Sequence, residues 1–262
     1  MGASFELSKW YADCVTRGGS AVILYHAELH WRTPTIHYAN LLTHESGAPV
    51  RNRYSLRSQP APVHYGNVEW TSPVWKVAGR WTETGTAIRE VLFESDAGLL
   101  EWNCVAPRSL AEVRTDDGAV YRGFGYAEHL RLTIPPWRLP IRLLRWGRFV
   151  NERDALVWID WRGPHNKQVV YDNGLRVAAA SIGDSAVQIE QNGAVLSLDR
   201  GVILREGKLG NTALSVLAHI DRILPASTLA MRECKWLSRA VLRRPGRADS
   251  VGMAIHEVVE WP

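Results

Sequence analysis

The sequence predicts an all-β chain made of two related barrel-like units, and three observations carry that prediction. Short runs of alternating apolar and polar residues, separated by Gly, Asn, Asp and Pro, recur along nearly the whole chain. Helical periodicity is sparse, confined to two ambiguous segments at 213–224 and 229–241. The two halves also echo one another: Trp10-Tyr-Ala-Asp13 opens the first and Val157-Trp-Ile-Asp160 the second, and each closes on a strand bearing a lone acid, Glu128 or Glu257. Two units only, at 1–150 and 151–262, exclude a solenoid and fit two barrels side by side.

In chain order, strands are expected at 10–15, 21–27, 74–79, 87–94, 99–105, 121–133, 155–161, 168–171, 187–191 and 195–198, with a last one ending near Trp261. Thr115-Asp-Asp-Gly118 and Gln191-Asn-Gly193 read as hairpin turns, because Asn-Gly and Asp-Gly supply the positive φ that tight hairpins need. The polar, proline-containing stretch 43–62 reads as a long loop or lid.

Composition narrows the function classes. Hydrophobic content of 46% and charged content of 22% are those of a soluble globular chain, and no apolar run approaches the ~20 residues of a membrane span. The N-terminal residues show no basic segment followed by an apolar one, so no signal peptide is expected and the chain reads as cytoplasmic. Cys14, Cys104 and Cys234, odd in number and widely spaced, read as reduced thiols rather than a disulfide framework or zinc site. Twelve Trp against four Phe suggest flat, polarisable walls around a ligand, or the packing of a β-core.

The chemistry concentrates at 123–149. On a strand, Phe124, Tyr126, Glu128, Leu130 and Leu132 share one face, and Gly125, Ala127, His129, Arg131 and Thr133 the other. The first face is apolar apart from one carboxyl. A carboxyl facing a core resists ionisation and can hold a proton near neutral pH, which makes Glu128 a candidate general acid with Tyr126 beside it. Met253, Ile255, Glu257, Val259 and Trp261 repeat the pattern. The bland alternatives are a structural salt bridge for Glu128 and hydrogen-bond closure at a barrel end for Asp13 and Asp160.

Gly123-Phe-Gly-Tyr-Ala-Glu128, followed by Pro140 and Trp146-Gly-Arg148 and preceded by Trp102 and Pro107, resembles the hydroxyneurosporene synthase (carotenoid 1,2-hydratase) family. That family belongs to a superfamily of tandem lipocalin-like proteins that includes tocopherol cyclase and fungal Diels–Alderases. The resemblance implies two tandem lipocalin-like (calycin-type) β-barrel units enclosing a hydrophobic pocket. It implies Glu128 at the position of an essential Asp, Tyr126 as its partner, and Trp102 on the pocket wall. Where the hydratases carry a His, this chain has Leu100, so a group that could hold water is missing. Leu100, Trp102, Phe124, Leu130, Trp146 and Trp81 are expected to line the substrate site, with Trp158 a further candidate wall.

The implied activity is cofactor-independent, acid-assisted cyclisation, hydration or isomerisation of a hydrophobic isoprenoid or polyketide-like molecule. An indole face stabilises a carbocation by ~2 kcal/mol or more where water is excluded. The alternatives are a carrier of a hydrophobic metabolite and a pericyclic enzyme that only preorganises a linear substrate. No metal is expected: His26 and His30, four apart on a strand, stand roughly 13 Å from each other. No phosphate loop or nucleophile elbow is present. The arginines and aromatics of 135–149 read either as a peripheral membrane contact or as an interdomain connector. Nucleic acid is not an expected partner, because acidic residues are spread through the rest of the chain.

Overall fold

The computed structural model describes residues 5–31, 35–199, 201–212, 214–216 and 224–262. Strand takes 64% of the chain and helix 4%, so the all-β class holds. The chain divides into two units, Met1–Leu139 and Pro140–Pro262, eleven residues ahead of the expected boundary at 150.

The first unit contains β1 (Phe5–Thr16), β2 (Ala21–Trp31), β3 (Thr35–His44), β4 (Arg51–Ser55), β5 (Val63–His64), β6 (Asn67–Ser72), β7 (Val77–Glu83), β8 (Ile88–Ser95), β9 (Gly98–Arg114) and β10 (Val120–Leu132). The second contains β11 (Leu143–Val150), β12 (Ala155–Arg162), β13 (Lys167–Asp172), β14 (Leu175–Arg176), β15 (Ala180–Ile182), β16 (Ala186–Ile189), β17 (Ala194–Leu198), β18 (Val202–Lys208), β19 (Arg232–Arg243) and β20 (Ser250–Glu260). Each unit is one curled antiparallel sheet, and one of the two is a half-barrel.

The first sheet runs β4-β3-β2-β1-β10-β9-β7-β6-β5, with β8 on β9. The second runs β14-β13-β12-β11-β20-β19-β17-β16-β15, with β18 on β19. Adding ten to each strand number turns the first order into the second, so the halves share one topology. Glu128 on β10 and Glu257 on β20 therefore occupy corresponding strands.

The sequence echo is out of step with this repeat. Trp10–Asp13 lies on β1, but Val157–Asp160 lies on β12, the counterpart of β2. The counterpart of β1 is β11, which falls in the 135–149 segment expected to be a connector or membrane contact. Trp146, Arg148 and Phe149 are buried there in a central strand. Arg148 donates to the Met253 carbonyl at 3.1 Å, so one of the arginines that made the segment look superficial is an interior group.

The second ambiguous segment is also mostly strand: a short helix, Ala226–Ala230, gives way to β19. Its inward positions include the buried Glu233 and Lys235, which hide the apolar alternation. The first, 213–224, lies largely outside the described residues. Stretch 43–62 contains β4, an edge strand of polar residues that runs from exposed Arg51 and Asn52 to buried Ser55. Both hairpin turns form where expected, with Gly118 at φ 86° and Gly193 at φ 66°.

The core of the first unit packs Leu24, Val68, Trp70, Trp75, Trp81 and Val113, and that of the second packs Phe149, Leu156, Trp158, Val170, Val187 and Leu196. Trp158 thus belongs to the second core, where it leaves no room for a side chain at Gly147. Gly125 plays the same part in the first. A Cβ there would lie 2.5 Å from Trp81, 2.6 Å from Ala111 and 2.7 Å from the Asp13 carbonyl. Gly125→Ala is therefore expected to lower unfolding free energy by about 1–3 kcal/mol, read from a denaturant titration.

Candidate active site

Strand β10 lies between β1 and β9, and the central part of β1 is buried on both faces. On one face, β10 pairs Ala127 with Ala12 of β1 and Ala106 of β9, all within the apolar core. On the other, Tyr126 stands opposite Asp13, and Glu128 opposite Tyr11. The cluster of Trp70, Trp81 and Val113 therefore lies on the Gly125–Ala127 face, and Tyr126 and Glu128 point to the other face, which is buried as well. They are withdrawn from water: Tyr126 is fully buried and Glu128 is 7% exposed.

The geometry on that second face is regular. Tyr126 Oη donates to Glu128 Oε2 at 2.5 Å, and Trp102 Nε1 from β9 donates to the same oxygen at 2.6 Å. Tyr11 Oη donates to Asp13 Oδ2 at 2.9 Å. Each tyrosine thus serves the acid two residues further along its own strand, because side chains at i and i+2 share a face. The Tyr11 and Tyr126 rings meet edge to face, centroids 5.9 Å apart. Tyr25 of β2 packs on Tyr11 at 5.1 Å, with the Lys9 ammonium 5.3 Å from the Tyr25 ring centroid.

Cys104, also fully buried, shares a hydrogen bond with Tyr126. Burial, with the neighbouring Cys104 and Glu128 behind it, holds the Tyr126 phenol well above its ordinary range. Burial likewise pushes the Cys104 thiol up, opposed by its bond to Tyr126 and reinforced by Glu128 and Asp13. Both groups are neutral at physiological pH. Tyr126 is a donor, and Cys104 lacks the thiolate that nucleophilic chemistry requires.

Of the expected site residues, the structure brings together Glu128, Tyr126 and Trp102. Leu100 is buried two residues from Trp102 on the same strand, and half-buried Leu130 stands opposite Trp102. Trp81 is placed differently. It fills the core on the opposite face, its Nε1 donating to the Asp13 carbonyl at 2.6 Å, because the glycine face of β10 is the one that admits an indole. Phe124 is half-buried and borders a surface groove with Leu110 and Arg122, some 13 Å along the strand from Glu128. Trp146 belongs to the second unit, where the Lys235 ammonium lies 4.8 Å from its ring centroid and forms an ion pair with Glu257. Glu257 thus holds a buried lysine.

Tyr11, Asp13 and Cys104 complete the cluster. The sequence carried a signal for the first two: Tyr11-x-Asp13 repeats the Tyr126-x-Glu128 spacing. Among the described residues, no group of three His, Cys, Asp or Glu side chains is placed to hold a metal ion. The three cysteines are free, Cys14 and Cys104 buried and Cys234 half-buried. No helix among the described residues is long and apolar enough to cross a membrane.

The core face has its own titrating groups. Burial lowers the pKa of His26 and of His129 below 6.5. Because the folded values are depressed, the stability tied to the neutral rings is present above pH 6.5 and lost as pH falls through the folded values. Denaturant midpoints are expected to drop as pH falls from about 7 to 5, with a shallower slope in His26→Gln.

No family model matches the chain, and no curated protein sequence matches it. Solved structures do. CghA in complex with Sch210972 matches at TM-score 0.59 and 10% identity, over 98% of this chain and 88% of that one. Kievitone hydratase from Nectria haematococca matches at TM-score 0.59 and 9% identity, over 97% and 88%. Both are tandem lipocalin-like proteins, and the likeness is one of structure alone. With two curled sheets of identical strand order and this match over nearly its whole length, the chain has the fold of the tandem lipocalin-like superfamily.

Proposed function

We propose that the protein is a cofactor-independent enzyme that uses Glu128 as a general acid in the cyclisation, hydration or isomerisation of a hydrophobic isoprenoid or polyketide-like molecule. The observation that carries this reading is the pair of donors, Tyr126 and Trp102, on one oxygen of a buried carboxyl. With Oε2 accepting two hydrogen bonds, a proton held by Glu128 sits on Oε1. Transfer of that proton to an alkene or enol carbon leaves a carboxylate whose charge the two donors already face, without reorganisation. The proton returns to Glu128 from the carbon next to the cation in a cyclisation or isomerisation, or from an added water in a hydration.

The fold supports this reading by company: one structural neighbour is a hydratase by name, and CghA is a fungal Diels–Alderase. Leu100 favours cyclisation or isomerisation over hydration, since it places an aliphatic group beside Trp102 where water would need a polar anchor. The test is incubation with a panel of prenylated phenols, polyenes and linear polyketides, followed by mass spectrometry. Conversion abolished by Glu128→Gln supports the acid. Ligand retained but recovered unchanged makes the protein a carrier, and conversion indifferent to Glu128 makes it a pericyclic enzyme.

A further inference from the structure

The core face of the same strands carries a second arrangement, one residue out of step with the acid cluster. Trp10 of β1 pairs with His129 of β10, His129 with Asn103 of β9, and Asn103 with Arg89 of β8, forming one transverse row across four adjacent strands. The row lines a cavity of about 490 Å³ within the first unit. That lies within the size range of small-molecule pockets. The next row down is Ala12, Ala127 and Ala106, three small side chains within the apolar core.

The polar groups of this row are arranged for something other than each other. The indole of Trp10 lies against the His129 ring, centroids 4.8 Å apart and planes tilted by 35°. His129 Nε2 is bonded to Ser8 Oγ at 2.8 Å, which leaves Nδ1 as its open position. Among the described residues, neither that nitrogen, the half-buried Asn103 amide nor the Trp10 N–H has a protein hydrogen-bond partner. Groups of this kind in a partly buried cavity call for a ligand that both donates and accepts.

Charge decides the ligand class. Arg89 at the rim offsets Glu90, and Glu101 is bonded to Arg131 at 3.2 Å. His64 on the wall is paired with Glu83. The wall is thus balanced, which disfavours a charged ligand.

We propose that this cavity is a second ligand site, separate from the acid cluster, which takes an uncharged planar phenol or enol. The ring packs beside the paired Trp10 and His129 rings, and its hydroxyl is held between Asn103 and His129 Nδ1. Its occupancy is independent of the reaction assigned to Glu128, because the two sites use opposite faces of β1, β9 and β10.

Isothermal titration of the full chain with 1-naphthol tests it. Saturable one-to-one binding is expected with Kd of about 10–100 µM. Asn103→Leu and Trp10→Ala should each weaken it about tenfold or more. Binding should be unchanged in Glu128→Gln and in Trp102→Phe, and 1-naphthoate, with a similar ring and a charge, should bind about tenfold more weakly. Circular dichroism checks each variant. If Trp10→Ala does not fold, Asn103→Leu decides alone, since its amide holds no hydrogen bond among the described residues. The proposal is overturned by absence of saturable binding up to the solubility limit, by naphthoate binding equally well, or by loss of binding in Glu128→Gln or Trp102→Phe but not in Asn103→Leu.

Discussion

Glu128→Gln is expected to lower turnover by about 10²–10⁴-fold, the range for losing a positioned general acid, while leaving substrate affinity within a few-fold of wild type. The substitution is nearly isosteric. The amide oxygen can take the place of Oε2 and still accept from Tyr126 and Trp102, so the local hydrogen bonds survive and only the transferable proton is lost. Tyr126→Phe removes one of the two donors. It should cost less, about tenfold, and move the alkaline limb of the pH–rate profile upward, because a carboxylate with one donor is harder to form and the acid keeps its proton to higher pH. Steady-state kinetics on the substrate found by the panel check both. Near-wild-type turnover in Glu128→Gln would reduce the buried carboxyl to an anchoring or structural group.

The second large effect is on stability. Trp81→Ala is expected to cost about 3–5 kcal/mol, the range for deleting a large buried aromatic. Trp81 is fully buried against Gly79 and Gly125, and its N–H satisfies the Asp13 carbonyl. Its loss opens a cavity and leaves that carbonyl without this donor, at Asp13, one of the two acids of the cluster. Guanidinium unfolding checks the magnitude. A change below about 1 kcal/mol would place Trp81 outside the folding core, against the packing described for it.

Alternation on β10 was enough to put Tyr126 and Glu128 on one face, and alternation on β9 put Leu100 and Trp102 on one face. It could not say that the opposite face of β10 is buried too. Both faces are buried, and the core face is the one written in Gly and Ala, because the indoles of β6 and β7 supply its volume. A face of small residues looks empty in a sequence when its partner lies forty residues away.

The same physics hid β11. Arg145 and Arg148 gave its alternation a superficial look, yet Arg148 is fully buried. With β11 unrecognised, the repeat was detected but matched one strand out of step. Tyr11 and Asp13 were legible in principle, since Tyr-x-acid occurs on both β1 and β10, but only the register that sets Tyr11 opposite Glu128 makes them one cluster.

The central claim is proton transfer from Glu128 to a substrate carbon, and isotope incorporation in D₂O reads that transfer directly. A single turnover of the wild-type protein in D₂O should place one deuterium on the protonated carbon of the product, located by mass spectrometry and NMR. Glu128→Gln should form no labelled product above the uncatalysed background. Product formed at full rate in D₂O with no deuterium bound to carbon would contradict the account and leave preorganisation of the substrate as the source of catalysis.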